Sequence, residues 1–126
     1  MSCLPSQDRR YLADRGLGYE EVMEGRQQGV ILRGYALPPG RFDPAQADVL
    51  ILLPSGYPDV PPDMFYLLPW VRLVQHQRYP HAADQPFPFH GQTWQRWSRH
   101  NTDWRSGVDG LWTMLQRVAQ ALEVAA

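Results

Sequence analysis

The residues with the clearest chemical potential lie together in the stretch Trp97-Ser98-Arg99-His100. A serine hydroxyl can carry an acyl group, but it needs a nearby general base to remove its proton. His100 follows Ser98 by two positions, and in an extended segment both side chains would project to the same face. Arg99, Asn101 or a backbone amide could stabilise the oxyanion that such a transfer creates. The spacing predicts a catalytic group of Ser98, Arg99 and His100.

Other interpretations of these side chains remain open. Ser98 could be a loop serine that bonds to its own backbone, as serines commonly do. Trp94 and Trp97, which stand three positions apart, could clamp a partner or close a small core beneath a loop. The four histidines raise the question of a metal site, but their spacings match no familiar ligand pattern. We therefore expect no metal and no cofactor.

Composition narrows the classes of protein that the chain can be. It has 126 residues, enough for one domain but too few for two. The single cysteine, Cys3, has no partner for an internal disulfide, which favours a reducing compartment. No signal peptide is evident, and the longest apolar run, Val49 to Leu53, is far shorter than a membrane span. A formal net charge of −1 gives no general case for nucleic-acid binding, so we expect a cytoplasmic protein.

The basic residues are unusual in type. All 12 are arginine, and the chain contains no lysine. An arginine-biased genome is one explanation, because the two residues serve equally well on most solvated surfaces. The other is that a protein carrying an amine-reactive acyl group avoids lysine, since lysine is the usual acceptor of such a group.

The hydrophobic pattern predicts a helix, several strands and a second helix. Ser6 is a candidate N-cap for the first helix, and Gly16 would end it. A second helix is indicated by apolar residues at i, i+3, i+4 and i+7 after the capping signal Ser106 to Asp109. Four strands are expected at Tyr19 to Met23, Gly29 to Leu37, Asp48 to Leu53 and Asp63 to Leu68.

Residues 71–103 show no sustained period, which predicts a long functional loop. The prediction for the whole chain is an α+β two-layer sandwich, with an antiparallel four-stranded meander packed against helices.

A proline-rich turn provides the first resemblance to a known superfamily. The sequence Leu-Pro-Ser-Gly-Tyr-Pro-Asp-Val-Pro-Pro-Asp-Met-Phe, residues 53–65, resembles the Tyr-Pro-x-x-Pro-Pro turn between the third and fourth strands of ubiquitin-conjugating (UBC-like) enzymes. Tyr57, Pro58, Pro61 and Pro62 are the matching positions. Prolines there fix φ and remove backbone donors, and Tyr57 can brace the turn.

The downstream sequence resembles a bacterial branch of that superfamily, prokaryotic ubiquitin-conjugating family E, along almost the whole chain. Residues 89–100 and the start of the last helix at 107–113 carry this resemblance. Gly91 and Trp104 match two landmarks that flank the catalytic cysteine in conventional relatives. Here no cysteine lies between them, and Cys3 precedes the first helix.

The usual His-Pro-Asn triplet is also missing, and the nearest candidates for its role are His81 and Asp84. His90, Trp94, Trp97 and Asn101 are further candidates for supporting the loop.

The resemblance implies a conjugating enzyme that carries the C-terminus of a ubiquitin-like protein on a residue other than cysteine, with a serine oxyester at Ser98 as one form. The implied partners are the ubiquitin-like protein, a ThiF-like activating enzyme and a JAB-type peptidase. Some members of the superfamily have lost the cysteine and act as binding modules. The alternative is therefore an inactive module that binds a ubiquitin-like protein or scaffolds the activating enzyme.

Overall fold

Two helices and six strands make up the computed structural model, which describes residues 4–100 and 103–126. Cys3 and Asn101 lie outside the described residues. In chain order the elements are α1 (Ser6–Asp14), β1 (Tyr19–Glu24), β2 (Gln27–Ala36), β3 (Gln46–Leu53), β4 (Phe65–Leu68), β5 (Gln85–Phe89), β6 (Gln92–Trp97) and α2 (Leu111–Val124).

The strands form one antiparallel sheet in the order β1-β2-β3-β4-β6-β5. The α+β class holds, but the sheet has six strands where the sequence predicted four. The predicted long loop over residues 71–103 contains the β5–β6 hairpin. Proline usually argues against a strand, so Pro86 and Pro88 gave no indication of this hairpin in the sequence. An edge strand such as β5 nevertheless tolerates proline. His90 and Gly91, with φ values of 53° and 77°, form its tight turn.

The core is divided between the two faces of the sheet. On one face, Phe65 and Trp97 pack with apolar residues of α1 and α2, including Leu12 and Leu111. The opposite face carries a second cluster, whose buried residues are Val22, Ile31, Leu50, Tyr66, Phe89 and Trp94. The sheet curls around this second cluster, since the His90 amide at the β5–β6 turn donates to Glu24 at the end of β1 over 2.9 Å.

Trp94 and Trp97 therefore do not share one small core. They lie three positions apart on β6, and odd spacing in a strand places side chains on opposite faces. Both are fully buried. The Trp97 ring lies 5.3 Å from the Phe65 ring, whereas the Trp94 indole donates to the Phe89 carbonyl over 3.3 Å.

The starts of both helices differ from the predicted caps. Ser6 is the first residue of α1, and its side chain makes no capping bond. Ser106 does not cap α2, because its hydroxyl donates to Asp59 over 2.6 Å and the helix begins five residues later. The first amide of α2, that of Leu111, instead donates to the buried Asp8 carboxylate of α1 over 3.1 Å. A carboxylate at this N-terminal position also interacts favourably with the dipole of α2.

Asp8 also holds the proline-rich turn. The Tyr57 hydroxyl donates to its second carboxylate oxygen over 2.6 Å. Burial, reinforced by this hydrogen bond, raises the pKa of Tyr57 far above its ordinary value, so the phenol remains a donor. On the other side of the turn, the Trp104 indole donates to the Pro58 carbonyl over 2.8 Å. The Tyr-Pro turn is thus fastened to α1 and to the segment that leads into α2.

One glycine has a close neighbour that explains its residue type. A Cβ added to Gly110 would lie 2.5 Å from the Trp112 ring, which packs at 6.3 Å from the Tyr11 ring. We expect Gly110→Ala to displace Trp112 and to lower the free energy of unfolding by about 1–3 kcal/mol, measured by urea denaturation. Gly18→Ala is the control, since nothing lies within 4 Å of its added Cβ. Equal stability of the two variants would contradict the steric argument.

Within residues 4–100 and 103–126, no helix is long and apolar enough to cross a lipid bilayer.

Candidate functional site

A groove lies between α2 and the chain that follows β6. Its volume is about 320 Å³. Its lining includes both polar and apolar residues. The polar lining residues are Asp63, Arg99, His100, Arg117 and Gln120, and the apolar ones are Phe65, Met114, Ala121 and Val124.

A carboxylate and an imidazole form a pair at this groove. His100 Nδ1 lies 2.7 Å from Asp63 Oδ1, and both side chains are more than half exposed. An ionised carboxylate only accepts hydrogen bonds, so Nδ1 is the protonated nitrogen of the pair. The Nε2 atom of the neutral ring then carries the free lone pair. This is the arrangement in which a histidine acts as a general base.

Arg99 is held in place beside the pair. Its guanidinium donates to the Ser98 carbonyl over 3.0 Å and to the His81 carbonyl over 3.1 Å. It also lies 5.1 Å from the centre of the Trp97 ring. Burial lowers the pKa of Arg99 from its usual value, because the charged form is partly desolvated. Arg99 thus brings a fixed positive group to the groove.

Ser98 is placed differently from its predicted partners. Its hydroxyl lies 3.9 Å from the Met64 sulfur, and Ser98 does not line the groove. The Arg99 amide donates to the Trp97 carbonyl over 3.0 Å, which turns the chain at Ser98 and ends its extended course. In the part of the chain that the structure describes, no hydrogen bond joins Ser98 to His100. Arg99 and His100 therefore both line the groove, whereas Ser98, their neighbour in the chain, does not.

The remaining predicted positions lie at varying distances from the groove. His81 contributes its backbone carbonyl to the Arg99 guanidinium, and Asp84 is exposed immediately before β5. His90 and Gly91 occupy the turn at the opposite end of β6, about 20 Å of strand away from Ser98. Gly91 therefore does not lead directly into the groove.

Sequence reasoning missed two groove residues, Asp63 and Arg117. Asp63 closes the proline-rich turn 37 positions before His100, so no local spacing connects them. Arg117 lies on α2, which the sequence analysis predicted from its apolar residues alone. Its Nε atom is buried and has no hydrogen-bond partner among the described residues. Among the described residues, no three or more His, Cys, Asp or Glu side chains form a cluster that could hold a metal ion.

One family model matches this chain. The model of prokaryotic E2 family E covers residues 4–125, which includes the Tyr57 turn, the groove and all of α2. Comparison with curated proteins and with solved structures gives no significant match. The match covers nearly the whole chain, and the α+β sheet with flanking helices is consistent with an E2-like fold. The chain belongs to prokaryotic E2 family E.

Proposed function

We propose that the protein is a conjugating enzyme of a ubiquitin-like pathway. It accepts the activated C-terminal carboxyl of a ubiquitin-like protein from an activating enzyme of the ThiF-like class and passes it to an amine. A JAB-type peptidase would act in the same pathway. Family membership supports the conjugating role, and the Asp63–His100 pair at an open groove is the observation that carries the chemistry.

In this proposal His100 acts as the general base and Ser98 as the acyl carrier. Ser98 Oγ attacks the activated carbonyl carbon and gives its proton to His100 Nε2. The bond from that carbon to the activating enzyme breaks, and an oxyester on Ser98 remains. The Asp63 carboxylate stabilises the imidazolium that forms. In the same proposal the Arg99 guanidinium, which lines the groove, stabilises the oxyanion.

The carrier step requires Ser98 to turn away from Met64. A thioether sulfur is a weak acceptor, and the contact is long at 3.9 Å, so little holds the hydroxyl in its present position. In the second half of the reaction an amine attacks the oxyester. The chain itself offers no lysine side chain as a competing acceptor, since its 12 basic residues are all arginine.

A second function is favoured by the same position of Ser98. With its hydroxyl on Met64 rather than on His100, the chain could serve as a binding module. The apolar lining residues of the groove would then hold a ubiquitin-like protein, or the domain would scaffold the activating enzyme, without forming a covalent bond.

Reconstitution separates the two functions. With an active activating enzyme, the ubiquitin-like protein and ATP, we expect an adduct on the wild-type chain that is visible by intact mass and labile to hydroxylamine. Ser98→Ala should abolish it, whereas Cys3→Ala should retain it, because the thiol has no part in the proposed step.

Each outcome assigns the carrier. An adduct that survives Ser98→Ala but is lost in Cys3→Ala would place the acyl group on the cysteine. Survival in both variants would place it on another group of the loop. No adduct from an activating enzyme that demonstrably loads its own substrate would contradict the carrier role and leave the binding module.

A further inference from the structure

A methionine sulfur contacts the hydroxyl of the proposed acyl carrier. Ser98 Oγ donates to the Met64 sulfur over 3.9 Å. Met64 directly precedes Phe65, the first residue of β4. Its side chain is partly exposed and packs against the second cluster of the sheet. A chemical change at this sulfur would therefore act on the Ser98 hydroxyl directly.

The backbone of Ser98 is held on both sides, so its hydroxyl moves by rotation about the Cα–Cβ bond. The Ser98 amide donates to the Ala82 carbonyl over 3.0 Å, and the Arg99 amide donates to the Trp97 carbonyl over 3.0 Å. A serine side chain has three staggered rotamers. In the present rotamer the hydroxyl contacts Met64, whereas the proposed reaction needs one that reaches His100. The strength of the contact with Met64 therefore sets how often the reactive rotamer is populated.

Oxidation of the Met64 sulfur would strengthen this contact. A thioether sulfur is a weak acceptor, whereas oxidation to the sulfoxide makes the side chain polar and adds an oxygen that accepts hydrogen bonds. A polar atom in a partly buried place is unfavourable without a partner. The new oxygen would therefore accept from the hydroxyl that already faces the sulfur, and Ser98 would be held away from His100.

The methionines differ in their access to an oxidant. Met23 on β1 is 56% exposed and Met114 on α2 is 2% exposed, and Met64 is intermediate between them. Met64 combines this access with a sulfur that accepts a hydrogen bond from Ser98. Met23 is therefore the comparison for oxidation at the surface, and Met114 is the comparison for a sulfur shielded by the core.

We propose that Met64 is an oxidation site at which a hydroperoxide reversibly switches off the carrier. The sulfur takes one oxygen atom and loses two electrons, the O–O bond of the hydroperoxide breaks, and water or an alcohol leaves. A methionine sulfoxide reductase reverses the step with two thiols, which become a disulfide as water is released. The switch rests on the proposed role of Ser98, whereas the oxidation and the new hydrogen bond do not.

Hydrogen peroxide treatment of the chain tests the modification. All samples carry Cys3→Ala, which removes the one thiol of the sequence, and catalase removes the peroxide before other proteins are added. Peptide mass spectrometry should locate an added oxygen on Met23 and Met64 before Met114. A crystal structure of the oxidised chain should place the Met64 sulfoxide oxygen about 2.7 Å from Ser98 Oγ. A Met64 that resists peroxide while Met23 is fully oxidised, or an oxygen directed away from Ser98, would overturn the proposal.

The effect on the carrier is measured as the rate of adduct formation in the reconstituted pathway. Oxidation should slow it by about 5–10-fold, the factor that corresponds to one hydrogen bond of ordinary net strength. Met64→Leu has a similar volume and no sulfur, so it should keep the untreated rate and become insensitive to peroxide. Met64→Gln carries an acceptor oxygen and should be slow without peroxide. Met23→Leu is the matched control and should remain as sensitive as the Met23 chain.

The results also distinguish this switch from the carrier role. An oxidised chain with an undiminished rate, or a Met64→Leu chain that peroxide still slows, would overturn the switch and leave the carrier role intact. Removal of the oxygen by the reductase without recovery of the rate would also contradict it. If the untreated chain forms no adduct, the carrier role fails. The peptide masses and the crystal structure then still decide whether oxidised Met64 holds the Ser98 hydroxyl.

Discussion

Replacing His100 with alanine should slow formation of the adduct by about 10²–10⁴-fold, the usual contribution of a positioned general base. The proposed nucleophile is a hydroxyl, which stays protonated until a base removes its proton, so loss of Nε2 leaves only water for that task. The rate is measured by stopping the reconstituted reaction at intervals and determining the adduct fraction by intact mass.

The size of the effect distinguishes His100 from a histidine with a structural role. His76→Ala is the matched control, because His76 is exposed and lines a different cavity. It should keep the wild-type rate. A His100→Ala variant that folds, binds the ubiquitin-like protein and forms adduct at an undiminished rate would exclude His100 as the base.

Asp63 should contribute less than His100. Asp63→Asn keeps the shape of the side chain but removes the charge that stabilises the imidazolium. Because both side chains are more than half exposed, solvent screens much of their interaction. We therefore expect Asp63→Asn to lower the rate of adduct formation by about 10-fold, measured in the same reconstituted reaction.

Patterns of short range predicted much of this fold. The apolar spacing of α2 is a pattern within one helix, and Leu111, Leu115, Val118 and Leu122 are buried as the stripe requires. The buried strand β3 is similarly evident from its continuous apolar run. The prolines around Tyr57 restrict the backbone wherever they occur, so the turn between β3 and β4 is readable in the sequence.

Features that depend on distant pairs were not predictable in the same way. The cap of α2 comes from Asp8, 103 positions before the amide that it accepts. The β5–β6 hairpin escaped notice because its prolines act as breakers in most strands, and only the edge position makes them tolerable.

The candidate site illustrates the same limit. His100 and Arg99 were visible as reactive types near each other in the chain. Their assignment to one face with Ser98 assumed an extended segment, and the turn closed by the Arg99 amide removes that premise. Asp63 and Arg117 reach the groove only through the packing of β4 and α2, which no spacing within the sequence expresses.

Gln95→Leu should lower the free energy of unfolding by about 3–5 kcal/mol, because the change leaves several buried backbone and side-chain groups without partners. Gln95 is fully buried on β6. Its Oε1 accepts from the Val71 amide over 2.9 Å and from the Trp97 indole over 3.2 Å. Its Nε2 donates to the Val71 carbonyl over 3.0 Å and to the Ala83 carbonyl over 2.8 Å.

The control is Gln92→Leu on the same strand, since Gln92 is exposed and its loss should change stability by less than about 0.5 kcal/mol. Urea denaturation compares the two variants. Hydrogen exchange of the Val71 amide reports directly on the lost bond and should quicken only in Gln95→Leu. Similar stabilities, with Val71 still protected, would mean that other contacts hold this segment.

The effect of Gln95 should extend to the groove. The segment that it fastens contains His81, whose carbonyl accepts a hydrogen bond from Arg99, and Ala82, whose carbonyl accepts from the Ser98 amide. Loosening residues 71–83 therefore removes the anchor of the proposed oxyanion cation while leaving Asp63 and His100 in contact. A folded Gln95→Leu protein should therefore form the adduct more slowly than the wild type, whereas Gln92→Leu should keep the wild-type rate.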